Sequence, residues 1–233
     1  MSRVRRPDGF TLVEMLVATM VLSVVVVCAV TMIQVVMRQG RGVIERTDSA
    51  QRGRLVLDQI TREIRSQVCL NETTKGLIAA SPTELTFYAD LGDGVQLPRK
   101  RVVRYDAAAR QIVELVYVPT PAGAYPTNPT TTRTLLQNVV PAVDESKPGP
   151  PPTALPFFAY YAYPDPLPAA PQPDAQLSGT LGATSLARVA RVDVAFGVRP
   201  AAARDDQFVT PLQDAVVLRN ADPNATKPDP TCR

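Results

Sequence analysis

No proline occurs between Pro7 and Pro82, although the 233-residue chain contains 23 prolines and fifteen of them fall between Pro119 and Pro173. Proline lacks a backbone donor and clashes with the preceding helical turn, so a chain that excludes it over roughly seventy residues is built to hold a long helix there. Inside this interval Phe10 to Met37 reads FTLVEMLVATMVLSVVVVCAVTMIQVVM, with Glu14 the only charge before Arg38. At 1.5 Å per residue these 28 residues make a helix of roughly 42 Å, longer than the roughly 30 Å hydrocarbon core of a bilayer. The segment before it, MSRVRRPDG, sets Arg3, Arg5 and Arg6 against Asp8. The positive-inside rule then puts the N-terminus in the cytoplasm and the C-terminal body across the membrane. A secretory signal peptide opens the same way, but this apolar run is too long for one and no small-x-small cleavage site closes it before Arg38.

Composition narrows the chemistry. The chain has no histidine and no tryptophan, which excludes imidazole as base, acid or metal ligand, and with it histidine-containing triads and histidine-ligated zinc. No nucleophile stands beside a plausible base, so a non-enzymatic role is expected, without a cofactor. Charge is uneven: residues 1 to 65 carry ten of the 25 Lys+Arg and six of the 22 Asp+Glu, a net of +4, leaving a net of −1 for the remainder. A near-neutral body has no bulk nucleic-acid footprint.

Glu14 is the anomaly in the apolar run. An ionisable residue in a membrane helix costs a few kcal/mol at the bilayer centre and by default marks a function with a partner; the plainer reading is that it snorkels to the headgroups. The string Arg5-Arg6-Pro7-Asp8-Gly9-Phe10-Thr11-Leu12-Val13-Glu14 resembles the class III signal of type IV pilins and type II secretion pseudopilins, with its basic leader, Gly-Phe junction and glutamate opening an apolar helix. The resemblance implies that a prepilin peptidase cuts after Gly9 and that the new amino group of Phe10 is N-methylated. It also gives Glu14 a partner: in a filament its carboxylate can meet the Phe10 ammonium of a neighbouring subunit, so that pairing relieves the cost of burying either ion. Many major pilins carry a proline in the middle of the transmembrane half. This span has none, and Thr31 sits near that place, which disfavours a bulk filament subunit.

Beyond the span the helix is expected to continue to about Leu70. Ile44, Leu57, Ile60, Ile64 and Val68 form an apolar stripe among charged residues, while Gly40, Gly42 and Gly53 weaken the helix by about 1 kcal/mol each and suggest a bend near 40 to 42. Strands are expected at Glu84 to Ala89, Arg101 to Tyr105, Gln111 to Val118, Pro156 to Tyr163, Val189 to Val198 and Ala215 to Arg219, with a hairpin turn between Tyr105 and Gln111. In the fifth of these, Val189, Arg191 and Asp193 alternate with Ala190, Val192, Val194 and Phe196, which predicts a half-buried strand. Residues 119 to 156 and 164 to 184 read as Pro/Ala/Gly/Thr-rich loops, either partner-binding or plain connections. The fold class is therefore α+β: a long N-terminal helix, its first half membrane-spanning, packed on an antiparallel β-sheet head in the manner of pilins. The divisions are a cleaved leader at 1–9, a transmembrane half at 10–37, a periplasmic amphipathic half at 38–70 and a β-rich head at 71–233.

The order of the helix end LVLDQITREIRSQV, the hairpin RVVRYDAAARQIVELVYV, the segment LLQNVVPAVDE and the final TPLQDAVVLRN resembles PilW-type minor pilins and their J-type pseudopilin relatives. The partners this implies are other minor pilins, the major pilin, the pilus assembly platform, a PilY-class tip adhesin and, transiently, the prepilin peptidase. The implied location is the inner membrane and then the pilus at the cell surface, in support of motility and adhesion. The alternatives are a J-type pseudopilin of a type II secretion system and, from another class, a surface binding module acting as adhesin or DNA-uptake receptor. Among candidate sites, Cys69 and Cys232 either form the C-terminal staple common in pilins or remain two thiols, and Cys28 is a small apolar residue of the span. Asp90 and Asp93 beside glycine suit calcium, but lack the alternation and distal glutamate of an EF-hand loop, so an Asp-Gly turn is the simpler reading. Phe157, Phe158, Tyr160, Tyr161 and Tyr163 read as core rather than as a recognition patch. The basic cluster Arg99, Lys100, Arg101 and Arg104 reads as a solvated edge strand rather than a DNA contact.

Overall fold

The computed structural model describes residues 11–70, 76–90, 97–144, 153–166, 172–200 and 209–218. The chain divides into two compact units, Met1–Glu45 and Arg46–Arg233. Helix α1 spans Leu12–Arg65. It begins where Thr11 caps the first turn: its Oγ1 accepts the otherwise free Glu14 N–H at 3.3 Å, and its carbonyl takes the first intrahelical bond, from the Met15 N–H, at 3.2 Å. The helix is continuous through Gly40 and Gly42, where an added Cβ would meet nothing within 4 Å.

In the second unit α1 buries one face. Gly53, Val56, Leu57, Ile60, Thr61 and Ile64 recur at spacings of three and four, and all are buried, which is the stripe a 3.6-residue period aligns. Ile44, expected on this stripe, is 69% exposed. The helix stops at Arg65 rather than near Leu70, because sheet pairing captures the next residues: Gln67 bridges Ala89, and the Val68 N–H donates to the Tyr88 carbonyl at 3.0 Å.

The strands form two antiparallel sheets where one was expected. The first is a meander of β1 (Leu77–Ala80), β2 (Glu84–Ala89), β3 (Arg99–Asp106), β4 (Gln111–Tyr117) and β5 (Thr131–Gln137) in sequential order. The β3–β4 hairpin turns where expected, with Asp106 Oδ1 accepting the N–H groups of Ala108 and Ala109 at 3.0 Å each. Strands β6 (Val139–Val140), β7 (Phe158–Ala162), β8 (Ala175–Leu177), β9 (Arg191–Val198) and β10 (Thr210–Val217) make the second sheet, ordered β10-β9-β7-β8 with β6 against the end of β9. A short helix, α2 (Ala183–Ala187), precedes β9.

Register explains the core. Leu85, Phe87, Val103, Tyr105, Ile112 and Leu136 share one face of the first sheet, and Phe158, Tyr160, Val192, Val194, Phe196 and Val216 one face of the second. All of them belong to one apolar cluster with Ile60 and Ile64 of α1. The two sheets are tied by Tyr160, whose hydroxyl donates to the Ser81 carbonyl at 2.8 Å, and by the Phe158 N–H on the Pro82 carbonyl at 3.0 Å. Burial raises the Tyr160 phenol well above its ordinary range, so it stays a neutral donor.

Three strand expectations need correction. The spans 119–156 and 164–184, read as loops, contain β5 and β6 in the first and β8 in the second: Thr-rich TTRTLLQ is β-branched and pairs with β4, and Ala175–Leu177 pairs with β7. Strand β9 is buried on both faces rather than one: Val192, Val194 and Phe196 line the core face, and on the opposite face Asp193 is only 7% exposed and is paired with Arg191 at 2.8 Å. The last strand is β10, beginning at Thr210 and carrying Pro211 where the unpaired edge tolerates it, rather than Ala215 to Arg219.

Gly53 is a packing requirement as well as a helix-weakening residue. A Cβ there would meet Leu212 and, at 2.7 Å, Val198 Cγ2, so α1 lies close against β9 and β10 at this point. Gly53→Ala should lower the thermal midpoint of the full-length protein in detergent by overpacking, a cost of about 1–3 kcal/mol that exceeds the helix-propensity gain of about 1 kcal/mol. Gly42→Ala, with open space around it, should not lower the midpoint. Equal behaviour of the two variants would refute the close approach.

Candidate functional site

The N-terminal half of α1 is an unpartnered apolar surface. Residues 11–37 are all exposed, with Leu12 at 78% and Met32 at 75%, far beyond the patch a water-soluble monomer leaves uncovered. Three of its hydroxyls are satisfied internally: those of Thr19, Ser23 and Thr31 donate to the carbonyls of Leu16, Met20 and Cys28 at 2.9, 2.7 and 2.8 Å. A helix with its hydroxyls turned onto its own backbone is suited to hydrocarbon. Among the described residues α1 is long and apolar enough to cross a membrane, with a best-window mean hydropathy of 2.7. Gly9 and Phe10 lie outside the described residues. Glu14 stands in the first turn, and Thr11-x-x-Glu14 has the spacing of a capping box. A carboxylate there also favours the positive helix end.

A second polar constellation joins α1 to the first sheet. Glu63 leaves the buried stripe of α1 and meets Arg101 of β3, Glu114 of β4 and Arg133 of β5, side chains that register places on the sheet's inner face. Arg101 Nη1 donates to Glu114 Oε1 and lies 3.2 Å from Glu63 Oε1. Arg133 Nε donates to Glu114 Oε2, and its Nη2 to Glu63 Oε1 at 3.4 Å. Gln59 Nε2 donates to the same Glu63 oxygen at 2.9 Å. The side chain of Glu114 is fully buried, those of Glu63 and Arg101 are nearly so, and that of Arg133 is half exposed. Burial, opposed by the Gln59 hydrogen bond and reinforced by the neighbouring Glu114 charge, pushes the Glu63 carboxyl up to about 7.

The other candidates fare differently. The basic cluster is not on an edge: β3 is central, Arg101 is 6% exposed, and Lys100 sits 4.1 Å over the Tyr117 ring, while Arg104 alone of the strand's outer residues is fully solvent-facing. The sequence pattern missed this because charges at alternate strand positions look solvated when the partner charges lie on strands distant in the chain. Phe157, Phe158 and Tyr160 are core as expected, and Phe157 stacks on Tyr105 and Phe196 at 5.5 Å in each case. Tyr161 lies beneath the Arg191 guanidinium at 3.9 Å instead. Cys69 is disulfide-bonded and Cys28 is a free, exposed thiol; Cys232 lies outside the described residues. Asp90 is exposed and Asp93 lies outside the described residues; among the described residues no group of three or more metal-ligating side chains converges.

Comparison with known proteins adds one finding. Residues 5–29 match the family model described as the prokaryotic N-terminal methylation motif. No curated protein and no solved structure matches the chain. The motif, together with the apolar helix that carries it, supports a relation to type IV pilins and pseudopilins and a membrane anchor at the N-terminus.

The ion cluster makes a stability prediction. Removing Arg101 leaves Glu114 buried with one fewer cation, so Arg101→Met should cost about 3–5 kcal/mol. Arg104→Ala, on the solvent side of the same strand, should cost under about 1 kcal/mol. Denaturant titration followed by tyrosine circular dichroism distinguishes them, and a small loss for both would show the cluster to be energetically idle.

Proposed function

We propose that this chain is a minor type IV pilin of the PilW type: it primes pilus assembly and sits in a minor-pilin complex at the filament tip or base, without chemistry of its own. The observation that carries this reading is the methylation motif at 5–29 opening a fully exposed apolar helix whose continuation is buried in a two-sheet head. A subunit of this kind uses the exposed half twice, as a membrane anchor before assembly and as a packing surface against neighbouring helices after it. The N-terminus is cytoplasmic and the head periplasmic until assembly. Prepilin peptidase cleaves after Gly9, Phe10 is methylated, and Glu14 pairs with the Phe10 ammonium of a neighbour. Other minor pilins, the major pilin, the assembly platform and a PilY-class tip adhesin are its partners.

Cys69 is bonded and Cys28 free in a chain of three cysteines, and we assign Cys232 as the partner of Cys69. The bridge would pin the C-terminus beside the end of α1 and contribute about 3–5 kcal/mol in the chain-entropy description. Mass spectrometry of filament-associated protein should show a chain beginning at methylated Phe10 and a Cys69 peptide that releases a Cys232 peptide on reduction. An intact Met1 in assembled material refutes the processing, and unlinked peptides refute the bridge.

The same motif serves type II secretion pseudopilins, so the decisive experiment is physiological. A deletion strain complemented with Glu14→Ala should insert the protein normally yet lack pilus-dependent motility, as the deletion does, with exoprotein secretion intact. Loss of secretion with motility retained assigns the chain to the J-type pseudopilins. Full function of the Glu14→Ala protein removes the ion-pair argument.

A further inference from the structure

The contact between α1 and the first sheet pairs its charges incompletely: the buried Arg101 Nε meets no acceptor and one carboxylate oxygen meets no donor among the described residues. Arg101 Nη1 is divided between Glu63 Oε1 and Glu114 Oε1. Arg133, the second cation, is half exposed and spends its Nε on Glu114. Glu63 Oε1 collects Gln59, Arg101 and Arg133, whereas Glu63 Oε2 is buried with no hydrogen-bond partner among the described residues. An ionised carboxylate with a dry, unpaired oxygen next to a second buried carboxylate is the arrangement in which one group takes up a proton instead. Both members of the pair sit on different elements, Glu63 on the helix and Glu114 on the middle of the sheet, so whatever happens between them acts on the helix–sheet joint itself.

We propose that Glu63 is a proton-operated latch: protonated, it fastens α1 to the first sheet through a carboxyl shared with Glu114; ionised, it loosens that joint. The groups that face it are Gln59 on α1, Arg101 on β3, Glu114 on β4 and Arg133 on β5. With both carboxylates ionised the four charged side chains sum to zero, but two anions then press on the one buried cation, Arg101. Protonating Glu63 removes the repulsion, supplies an O–H to Glu114 and leaves Arg101 and Arg133 to that one carboxylate. The latch does not rest on the assembly role, since it concerns the head's own joint.

The sign follows from which state holds the proton more tightly. Glu63 is raised from its ordinary 4.5 to about 7 in the folded chain, so the stabilisation is complete below about 4.5 and is lost as pH rises through about 7. A shift of this size corresponds to a fall of up to about 100-fold in the folding equilibrium between pH 5 and pH 8.

The test uses full-length protein in detergent micelles, unfolded by denaturant at a series of pH values and followed by tyrosine circular dichroism. Wild type should lose stability between pH 5 and pH 8. Glu63→Gln, a neutral isostere of the protonated form, should fold and should lose most of that dependence, so that the difference between the two curves isolates Glu63 from Asp193, whose carboxyl burial also raises. Three results overturn the latch: a wild-type stability that is flat or rises over this window, a Glu63→Gln protein that keeps the wild-type slope, or one that fails to fold.

Discussion

The burial of a single face of α1 between Gly53 and Ile64 is the contact on which the head depends. At Gly53 the helix comes close enough to the second sheet to exclude a methyl group, and at Glu63, ten residues on, it engages the first. Between them Val56, Leu57, Ile60 and Ile64 supply the apolar area that ties both sheets to one element. Each sheet turns an inner face of large side chains, such as Phe87 on one and Phe196 on the other, into the one cluster that the helix shares. The glycine is costly for the helix in isolation and necessary for the contact.

The charges in that contact follow a different logic. Replacing a buried ion pair with apolar side chains of similar volume is often neutral or stabilising, so Arg101, Glu114 and Glu63 are not explained by strength. They do specify position. A leucine on α1 could slide along an apolar sheet, whereas Glu63 accepts donors from α1, β3 and β5 at one place only. The cluster also sets the register of the meander, since Glu114 faces Arg133 directly across β4 and β5.

Legibility in the sequence tracked the range of the interaction. The long helix, the Asp106 turn and strand β2 are local patterns, and the structure has them where the residues placed them. The aromatic strand was legible as core because Phe158 and Tyr160 alternate at the period of a pleat. Strand β5 was hidden because its threonines sit among prolines, and composition over a long window outweighed the β-branched run within it. Arg101 was misread for a deeper reason. Its burial depends on Glu63, Glu114 and Arg133, which are spread over the chain, and no single window contains the neutralising partners. Asp193 was misplaced likewise, since the covering of the second face of β9 is a matter of tertiary packing rather than of its own alternation.

Two glutamates on one helix mark the limits of such reading. Glu14 stands alone in an apolar run, so its anomaly is visible at once, and it is exposed in the first turn with its amide donating to Thr11 Oγ1. Glu63 sits in an amphipathic segment where acidic residues are ordinary, and nothing in the local pattern separates it from Asp58, which is exposed and paired to Arg62 one turn away. Yet Glu63 is buried among four partners, whereas the side chain of Glu14 is exposed. A carboxylate whose surroundings are wholly apolar must find its counter-ion outside the chain, and a carboxylate folded against its own sheet has to be reconciled within it. The first condition makes a residue of assembly and the second a residue of the joint, and the surroundings rather than the residue type decide between them.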